Sequence, residues 1–169
     1  ALTDAGKEII GEIEWAYRNA NGKIIGITGS NGKTTTTGLC HHFLQAAGMD
    51  AAKVGNVGEG FCHFLAEHNA AWYVCELSSF QLEDVETFRP HIGILLNITP
   101  DHLDRYDYSL DKYADAKMRM MRNMTEEDTL IYNAMDPVTV AKVIGAESEE
   151  RLWSIRETDL IGDDKVYVK

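Results

Sequence analysis

Residues 27–37 read Ile-Thr-Gly-Ser-Asn-Gly-Lys-Thr-Thr-Thr-Thr. Ahead of them, the β-branched run 24–28 follows the turn pair Asn21-Gly22 and predicts a strand. Behind them, 33–47 places Leu39, His42, Phe43 and Ala46 at helical spacing, and Gly48 follows as a helix terminator. A glycine-rich turn between strand and helix leaves backbone N–H groups at Gly29, Ser30, Asn31 and Gly32 free to face an anion. The helix dipole adds positive charge at the same place. Lys33 supplies a full charge, and the Thr34 hydroxyl has the chemistry of a Mg²⁺ ligand. The strict pattern Gly-x4-Gly-Lys-[Ser/Thr] is not met, because Ile27 stands at the first glycine position. The core Gly-x-x-Gly-Lys-Thr remains. In its strand–turn–helix setting it predicts a phosphate site at Gly29, Ser30, Asn31, Gly32, Lys33, Thr34 and Thr35.

Outward from this loop, apolar runs at 51–54, 72–75, 92–96, 129–132 and 151–155 read as further strands. Helix-like segments separate them: one carrying Phe61, Phe64 and Leu65, then 79–87, then 109–122, then one opened by Pro137 and running to 143. Strands alternating with helices predict an α/β fold with a mainly parallel, doubly wound sheet. The tail 157–169 reads as a ragged strand at most. In such sheets ligands gather at the carboxyl ends of the strands. Four predicted strand ends carry unusual residues there: 29–34, 55–58, 76–81 and 97–105.

The chain has 169 residues, which is room for one domain. Sixteen Lys and Arg against 27 Asp and Glu give a net charge of −11. That balance argues against nucleic acid or an anionic membrane as the main partner. No apolar run is long enough to span a bilayer, and the amino end lacks a signal-peptide pattern. Cys40, Cys62 and Cys75 are odd in number without a Cys-x-x-Cys spacing, which predicts reduced thiols in a cytoplasmic protein. The chain starts at Ala1 rather than Met, which suggests a piece of something longer.

Glu76 ends the apolar run 72–75, where phosphate-loop proteins commonly hold Mg²⁺. Magnesium takes few carboxylates, several waters and phosphate oxygens, so Glu76 with Thr34 and a nucleotide suits it. An acid that merely caps the next helix is the plainer alternative. The loop 97–106 crowds Asn97, Asp101, His102, Asp104 and Arg105 at a strand end, where His102 is a candidate metal ligand or a simple hydrogen-bonded turn residue. On the helix that Ser109 caps, Leu110, Tyr113, Ala114, Met118 and Met121 form an apolar stripe with Lys117 in its middle. Such a lysine either reaches out to water or is buried beside a site. A buried amine loses its charge and can add CO₂ to form a carbamate, an anionic Mg²⁺ ligand. The other histidines read as structural, with His42 alone of the 41–42 pair on the apolar side. The Met118–Met124 cluster reads as core packing.

Together these residues resemble the Mur ligases, the ATP-dependent amide-forming enzymes of peptidoglycan synthesis. Thr28–Thr34 looks like that family's phosphate loop. Glu76-Leu77-Ser78-Ser79-Phe80-Gln81-Leu82-Glu83 is similar to the branch that adds D-glutamate to UDP-N-acetylmuramoyl-L-alanine. Residues 55–58 and 101–106, and the separation of His102 from Lys117, match the same branch. The resemblance implies roles. Lys33 would stabilise the γ-phosphate of ATP. Thr34 and Glu76 would hold one Mg²⁺, and His102 with a carbamate on Lys117 a second. Lys33, His102 and Lys117 would be the catalytic residues, and Asn56 and Ser79 would contact the UDP-sugar substrate. The implied chemistry is phosphorylation of the acceptor carboxylate, attack by the D-glutamate amine, and release of phosphate. A monomeric cytoplasmic enzyme is implied, with this chain as its central ATPase domain. The family's uridine-gripping and amino-acid-bringing domains, and its late His-Asn motif, are not in the sequence. The fragment alone is therefore expected to be inactive as a ligase. Another Mur-type ligase or folylpolyglutamate synthase stays open, as does a non-catalytic nucleotide-binding module.

Overall fold

The computed structural model describes residues 8–146 and the backbone of 151–155. Six strands form one sheet: β1 (Lys23–Thr28), β2 (Ala51–Gly55), β3 (Trp72–Glu76), β4 (Ile92–Leu95), β5 (Thr129–Asn133) and β6 (Arg151–Ile155). Their spatial order is β2-β3-β1-β4-β5-β6, and every pairing is parallel. The helices are α1 (Glu12–Asn19), α2 (Lys33–Ala46), α3 (Phe61–Glu67), α4 (Ser79–Leu82), α5 (Leu110–Met118) and α6 (Pro137–Gly145). Short 3-10 turns follow at Leu103–Tyr106 and Arg119–Met121. The α/β parallel architecture predicted from the alternation is what the backbone shows. The tail 157–169 lies outside the described residues.

The two faces of the sheet are covered unequally. Ile24, Tyr73, Cys75, Leu95 and Leu130 point to one side, where α1, α3, α4, α5 and α6 close a single large core over them. Ile25, Ile27 and Val74 point to the other, where Cys40 and Leu44 of α2 pack. Beyond α2 this second face runs on through Ile92, Ile94 and Leu96, which are half-buried. On the first face the sheet backbone has no side chain at Gly26 and Gly93. A methyl group added at Gly26 would lie 3.3 Å from the Met120 sulfur. At Gly93 it would lie 3.2 Å from the Met120 methyl and 3.3 Å from the Met124 sulfur. The methionines read as core packing therefore fill the space that two strand glycines leave.

Three expectations are corrected. The stripe Leu39, His42, Phe43, Ala46 of α2 faces solvent, with Leu39 49% and Phe43 64% exposed. The buried side is one step round, at Thr37, Cys40, His41 and Leu44, whose smaller groups at Thr37 and Cys40 let the helix lie close to β1 and β3. The Thr37 hydroxyl donates to the Lys33 carbonyl at 2.8 Å, so its burial leaves no unpaired polar atom. A Schellman-type ending at Gly48 (φ +75°) closes the helix, with Met49 N–H on the Leu44 carbonyl. The helix expected over 79–87 stops at Leu82, and the one over 109–122 is α-helical only to Met118 before tightening.

The early stop at Leu82 follows from α1, an element that the sequence reading did not assign. Glu14 of α1 is fully buried, and its carboxylate accepts the backbone N–H groups of Glu86, Thr87 and Phe88, the Thr87 hydroxyl, and Arg18 Nε. Donors that would have continued a helix are held by a side chain from another one. Burial alone would push the Glu14 carboxyl up, but the hydrogen bonds from Thr87, Glu86 and Arg18 outweigh it and hold it down at about 2. A carboxyl depressed in the fold contributes stability above its unfolded value of 4.5, and that contribution is lost as pH falls toward 2. Denaturant titrations are expected to show roughly 3 kcal/mol lost across that window. Glu14→Ala is expected to lose a similar amount at pH 7 and to flatten the acid dependence.

Candidate functional site

The carboxyl ends of β1, β2, β3 and β4 meet at one edge, and the predicted phosphate loop lies across it. At Gly29 the chain leaves β1 with φ +153°, and an added methyl group would sit 2.9 Å from Leu96 Cβ. Gly32, at φ +85°, caps α2 in the left-handed region that glycine favours. Ser30 N–H donates to the Asn97 carbonyl at 2.9 Å, and Asn31 N–H to Asn97 Oδ1 at 2.9 Å. This corrects one expectation: the amides of Ser30 and Asn31 are engaged with the protein. The first bond within the helix runs from Thr36 N–H to the Gly32 carbonyl. The N–H groups at the open end of α2 are therefore those of Gly32, Lys33, Thr34 and Thr35. The Ser30 hydroxyl is also engaged, donating to the Thr99 carbonyl and accepting from Thr99 N–H.

Lys33 folds back over the loop, its ammonium donating to the carbonyls of Gly29 and Ser30 at 2.8 Å each. Lys117 reaches the same Gly29 carbonyl from below at 2.9 Å. Only 1% of Lys117 is exposed, so it is the buried lysine of the two alternatives and does not reach out to water. Its ammonium lies 4.4 Å from the centre of the Tyr113 ring. Tyr113 in turn contacts the Ser30 hydroxyl at 3.2 Å and packs on Tyr106. Desolvation first, then the charge of Lys33, pull the Lys117 amine down to about 7, with Asp101 opposing. A large share of it is the neutral amine near neutral pH.

Glu76 ends β3 and is buried. Its Oε1 accepts from Asn56 Nδ2 at 3.1 Å, and Asn56 N–H donates to the Glu76 carbonyl at 3.0 Å. Gly55 (φ +99°) makes this crossing possible, since a methyl group there would strike the Glu76 carbonyl. Glu76 Oε2 is buried with no hydrogen-bond partner. A desolvated carboxylate oxygen without a donor is costly, and a divalent cation is the group that relieves it. Thr34, the second residue of α2, is exposed and free to join such a cation. The Thr34–Glu76 set thus fits Mg²⁺ on the chemistry of its donors.

The other predicted residues are placed less closely. His102 stands on a left-handed backbone (φ 47°), with a side chain 70% exposed and Asp101 3.7 Å away. It makes no hydrogen bond with Lys117. Among the described residues no cluster of three or more His, Cys, Asp and Glu side chains forms a metal cage. Ser79 is buried at the start of α4, next to the Ser78–Gln81 capping box. His42 is exposed against Phe43 rather than on a buried face.

The sequence reading assigned Asn97, Thr99, Tyr113 and Glu83 no role of their own at the site edge. Glu83 accepts both nitrogens of the Arg105 fork, at 3.1 and 2.9 Å, and the Tyr106 hydroxyl at 2.6 Å. It thereby ties the end of α4 to the loop that carries His102. The signals for Asn97, Thr99 and Glu83 were the polar strand-end run 97–105 and the stretch 76–83. A cavity of about 260 Å³ opens beside the loop, walled by Asn31, Gly32, Thr36, Asn97, Tyr132 and Asn133. Among the described residues no helix is long and apolar enough to cross a membrane.

The profile of the family described as "Mur ligase middle domain" matches residues 27–165. The chain belongs to that family. Among its curated relatives, the UDP-N-acetylmuramoylalanine--D-glutamate ligase of Christiangramia forsetii is 50% identical over 135 residues, covering 80% of this chain and 30% of that protein. The protein of the same name from Bacteroides fragilis is 48% identical over 137 residues, with 81% and 31% covered. The one from Koribacter versatilis is 43% identical over 170 residues, with 97% and 37% covered. The chain spans about a third of the length of these relatives. In fold it is similar to a MurF ligase from Thermotoga maritima in complex with ADP (TM-score 0.64, 18% identity, 84% of this chain and 35% of that one). It is also similar to a UDP-N-acetylmuramate:L-alanyl-gamma-D-glutamyl-meso-diaminopimelate ligase (TM-score 0.66, 16% identity, 89% and 52%).

For this Mur ligase middle domain, Glu76→Gln is expected to leave the melting temperature without ligand unchanged or slightly higher, because it removes an unpaired buried charge. The same change is expected to abolish the thermal stabilisation expected from Mg²⁺ beyond that of ATP; a ligand of the native state at a hundredfold excess over its Kd contributes about 3 kcal/mol. Thermal denaturation with ATP, with and without Mg²⁺, checks both.

Proposed function

We propose that this chain is the ATP-binding middle domain of a ligase that joins D-glutamate to UDP-N-acetylmuramoyl-L-alanine. The observation that carries the proposal is the convergence at one sheet edge of four open N–H groups, Lys33 and the unpartnered Glu76 oxygen, in a chain half identical to ligases of that name. The N–H groups of Gly32–Thr35 and the Lys33 ammonium bind the triphosphate. Lys33 leaves the Gly29 and Ser30 carbonyls for the γ-phosphate as negative charge builds there. Thr34 and Glu76 hold one Mg²⁺. A second Mg²⁺ would take His102 and a carbamate on Lys117, which supplies the anionic oxygens that the amine lacks; the two side chains stand apart in this structure. Bound Mg²⁺ supplies charge neutralisation between triphosphate and carboxylate.

In the first step the acceptor carboxylate attacks the γ-phosphorus and the bond to ADP breaks, giving an acyl phosphate. In the second the neutral amine of D-glutamate adds to the acyl carbon, the carbon–oxygen bond breaks, and phosphate leaves with the amine proton passed to solvent or base. Asn56 and Ser79 contact the UDP-sugar. The domain works as a monomer in the cytoplasm. The remaining two thirds of its relatives' length supplies the grips for uridine and amino acid. The 169 residues alone bind nucleotide without turning over.

The test is phosphate release from MgATP by the full-length ligase with UDP-N-acetylmuramoyl-L-alanine present, adding D-glutamate, L-glutamate, L-lysine or diaminopimelate in turn. Release that depends on D-glutamate alone is expected, and dependence on another amino acid overturns the specificity. Lys33→Ala is expected to remove nucleotide-dependent stabilisation. Lys117→Ala is expected to lower turnover on the order of a hundredfold, with partial recovery on adding a short carboxylate.

A further inference from the structure

We propose that Asn97 is a positioning residue that holds the phosphate loop in its binding shape before any phosphate arrives; this inference rests on the phosphate-loop reading above. Asn97 ends the run that leaves β4. Its side-chain amide meets the Asn31 main chain on both sides of its Cα: Oδ1 accepts Asn31 N–H at 2.9 Å, and Nδ2 donates to the Asn31 carbonyl at 3.1 Å. Its own backbone carbonyl takes Ser30 N–H at 2.9 Å. One residue thus fixes two consecutive amides of the loop and one of its carbonyls.

These bonds are not needed to satisfy buried groups. Asn31 is exposed, and water would serve its peptide equally well. What the paired amide does is orientational. The two bonds hold the peptide groups on either side of the Asn31 Cα, and so restrain its backbone angles, at the residue before Gly32 turns into the left-handed region. With Ser30 and Asn31 engaged, the amides left to face an anion are those of Gly32–Thr35. The entropy of ordering the loop is then spent in folding and not in binding.

The template itself is anchored. Leu96 N–H donates to the Thr28 carbonyl, so the β1–β4 ladder continues into the loop. Ile98 N–H donates to Asp136 Oδ2 at 2.5 Å, and the same oxygen accepts the Thr139 hydroxyl at the start of α6. Thr99 grips Ser30 from the far side, through its N–H and its carbonyl. Asn97 also borders the 260 Å³ cavity beside the loop. A direct contact to a nucleoside there is the competing role, and it predicts a different pattern of losses.

The experiment uses the full-length ligase and two probes, MgATP and magnesium tripolyphosphate, the second having phosphates but no base or sugar. Asn97→Ala is expected to weaken both by the same factor, on the order of tenfold. It is also expected to raise the KM for ATP while kcat at saturating ATP stays within about twofold. Amide exchange at Asn31 in the nucleotide-free protein is expected to be slow in wild type and fast in the variant. Loss of ATP affinity alone, with tripolyphosphate unchanged, overturns the proposal in favour of a nucleoside contact. Unchanged binding of both probes overturns it outright. If Asn97→Ala does not fold, Asn97→Gln serves: it keeps a neutral amide, displaces it by one methylene, and is expected to show the same equal losses. Failure of wild type to bind either probe sinks the phosphate-loop reading instead.

Discussion

Two ammonium groups converge on one carbonyl oxygen, that of Gly29, and the site is organised by that constraint. Lys33 reaches it along the loop and Lys117 reaches it from the core, at 2.8 and 2.9 Å. Beside that carbonyl β1 and the exit of β4 run close together, which only a residue without a side chain allows at position 29. Burial disfavours the charge on Lys117 first, and repulsion from Lys33 adds to it, so Lys117 sheds its proton easily. The packing that holds the loop together thus prepares a neutral amine beside it.

A chain of net charge −11 concentrates positive charge where an anion has to enter. The amides of Gly32–Thr35 stand at the open end of α2, with the Lys33 ammonium folded over the loop beside them. The Glu76 carboxylate is buried, with one oxygen tied to Asn56 and the other without a hydrogen-bond partner. Donors for an anion beside an unpartnered carboxylate oxygen suit a phosphate that brings a cation with it. The parallel sheet makes this assembly cheap, because it brings the ends of β1, β2, β3 and β4 to one edge whatever the rest of the fold does.

The glycine loop between strand and helix and the parallel sheet were legible in the sequence, because glycine placement and strand–helix alternation are local patterns. The apolar stripe singled out Lys117 but left open whether it reaches water or lies in the core. What was not legible depends on contacts far apart in the chain. The exposed face of α2 is one case: Leu39 and Phe43 make a better hydrophobic stripe than Thr37 and Cys40, yet the distance between helix and sheet selects the smaller residues. The shortened α4 is another, since its cause is Glu14, some seventy residues earlier in the chain. Asn97 was missed because its role is defined by a peptide 66 residues away and not by its neighbours. The His102–Lys117 separation matched a family pattern, while the side chains themselves stand apart, one at the surface and one in the core.

The seam between α5 and the sheet has a chemical consequence. The segment after Lys117 seats Met120 and Met124 against the bare backbone of Gly26 and Gly93, so closely that one added carbon there would press them aside by a few tenths of an ångström. Thioethers are the readily oxidised groups of a protein interior, and a sulfoxide adds a polar oxygen to an atom already at contact distance. An oxygen on either sulfur would press on the strand glycines on one side and on the segment that follows α5 on the other, so the packing that keeps Lys117 deep includes two oxidisable atoms.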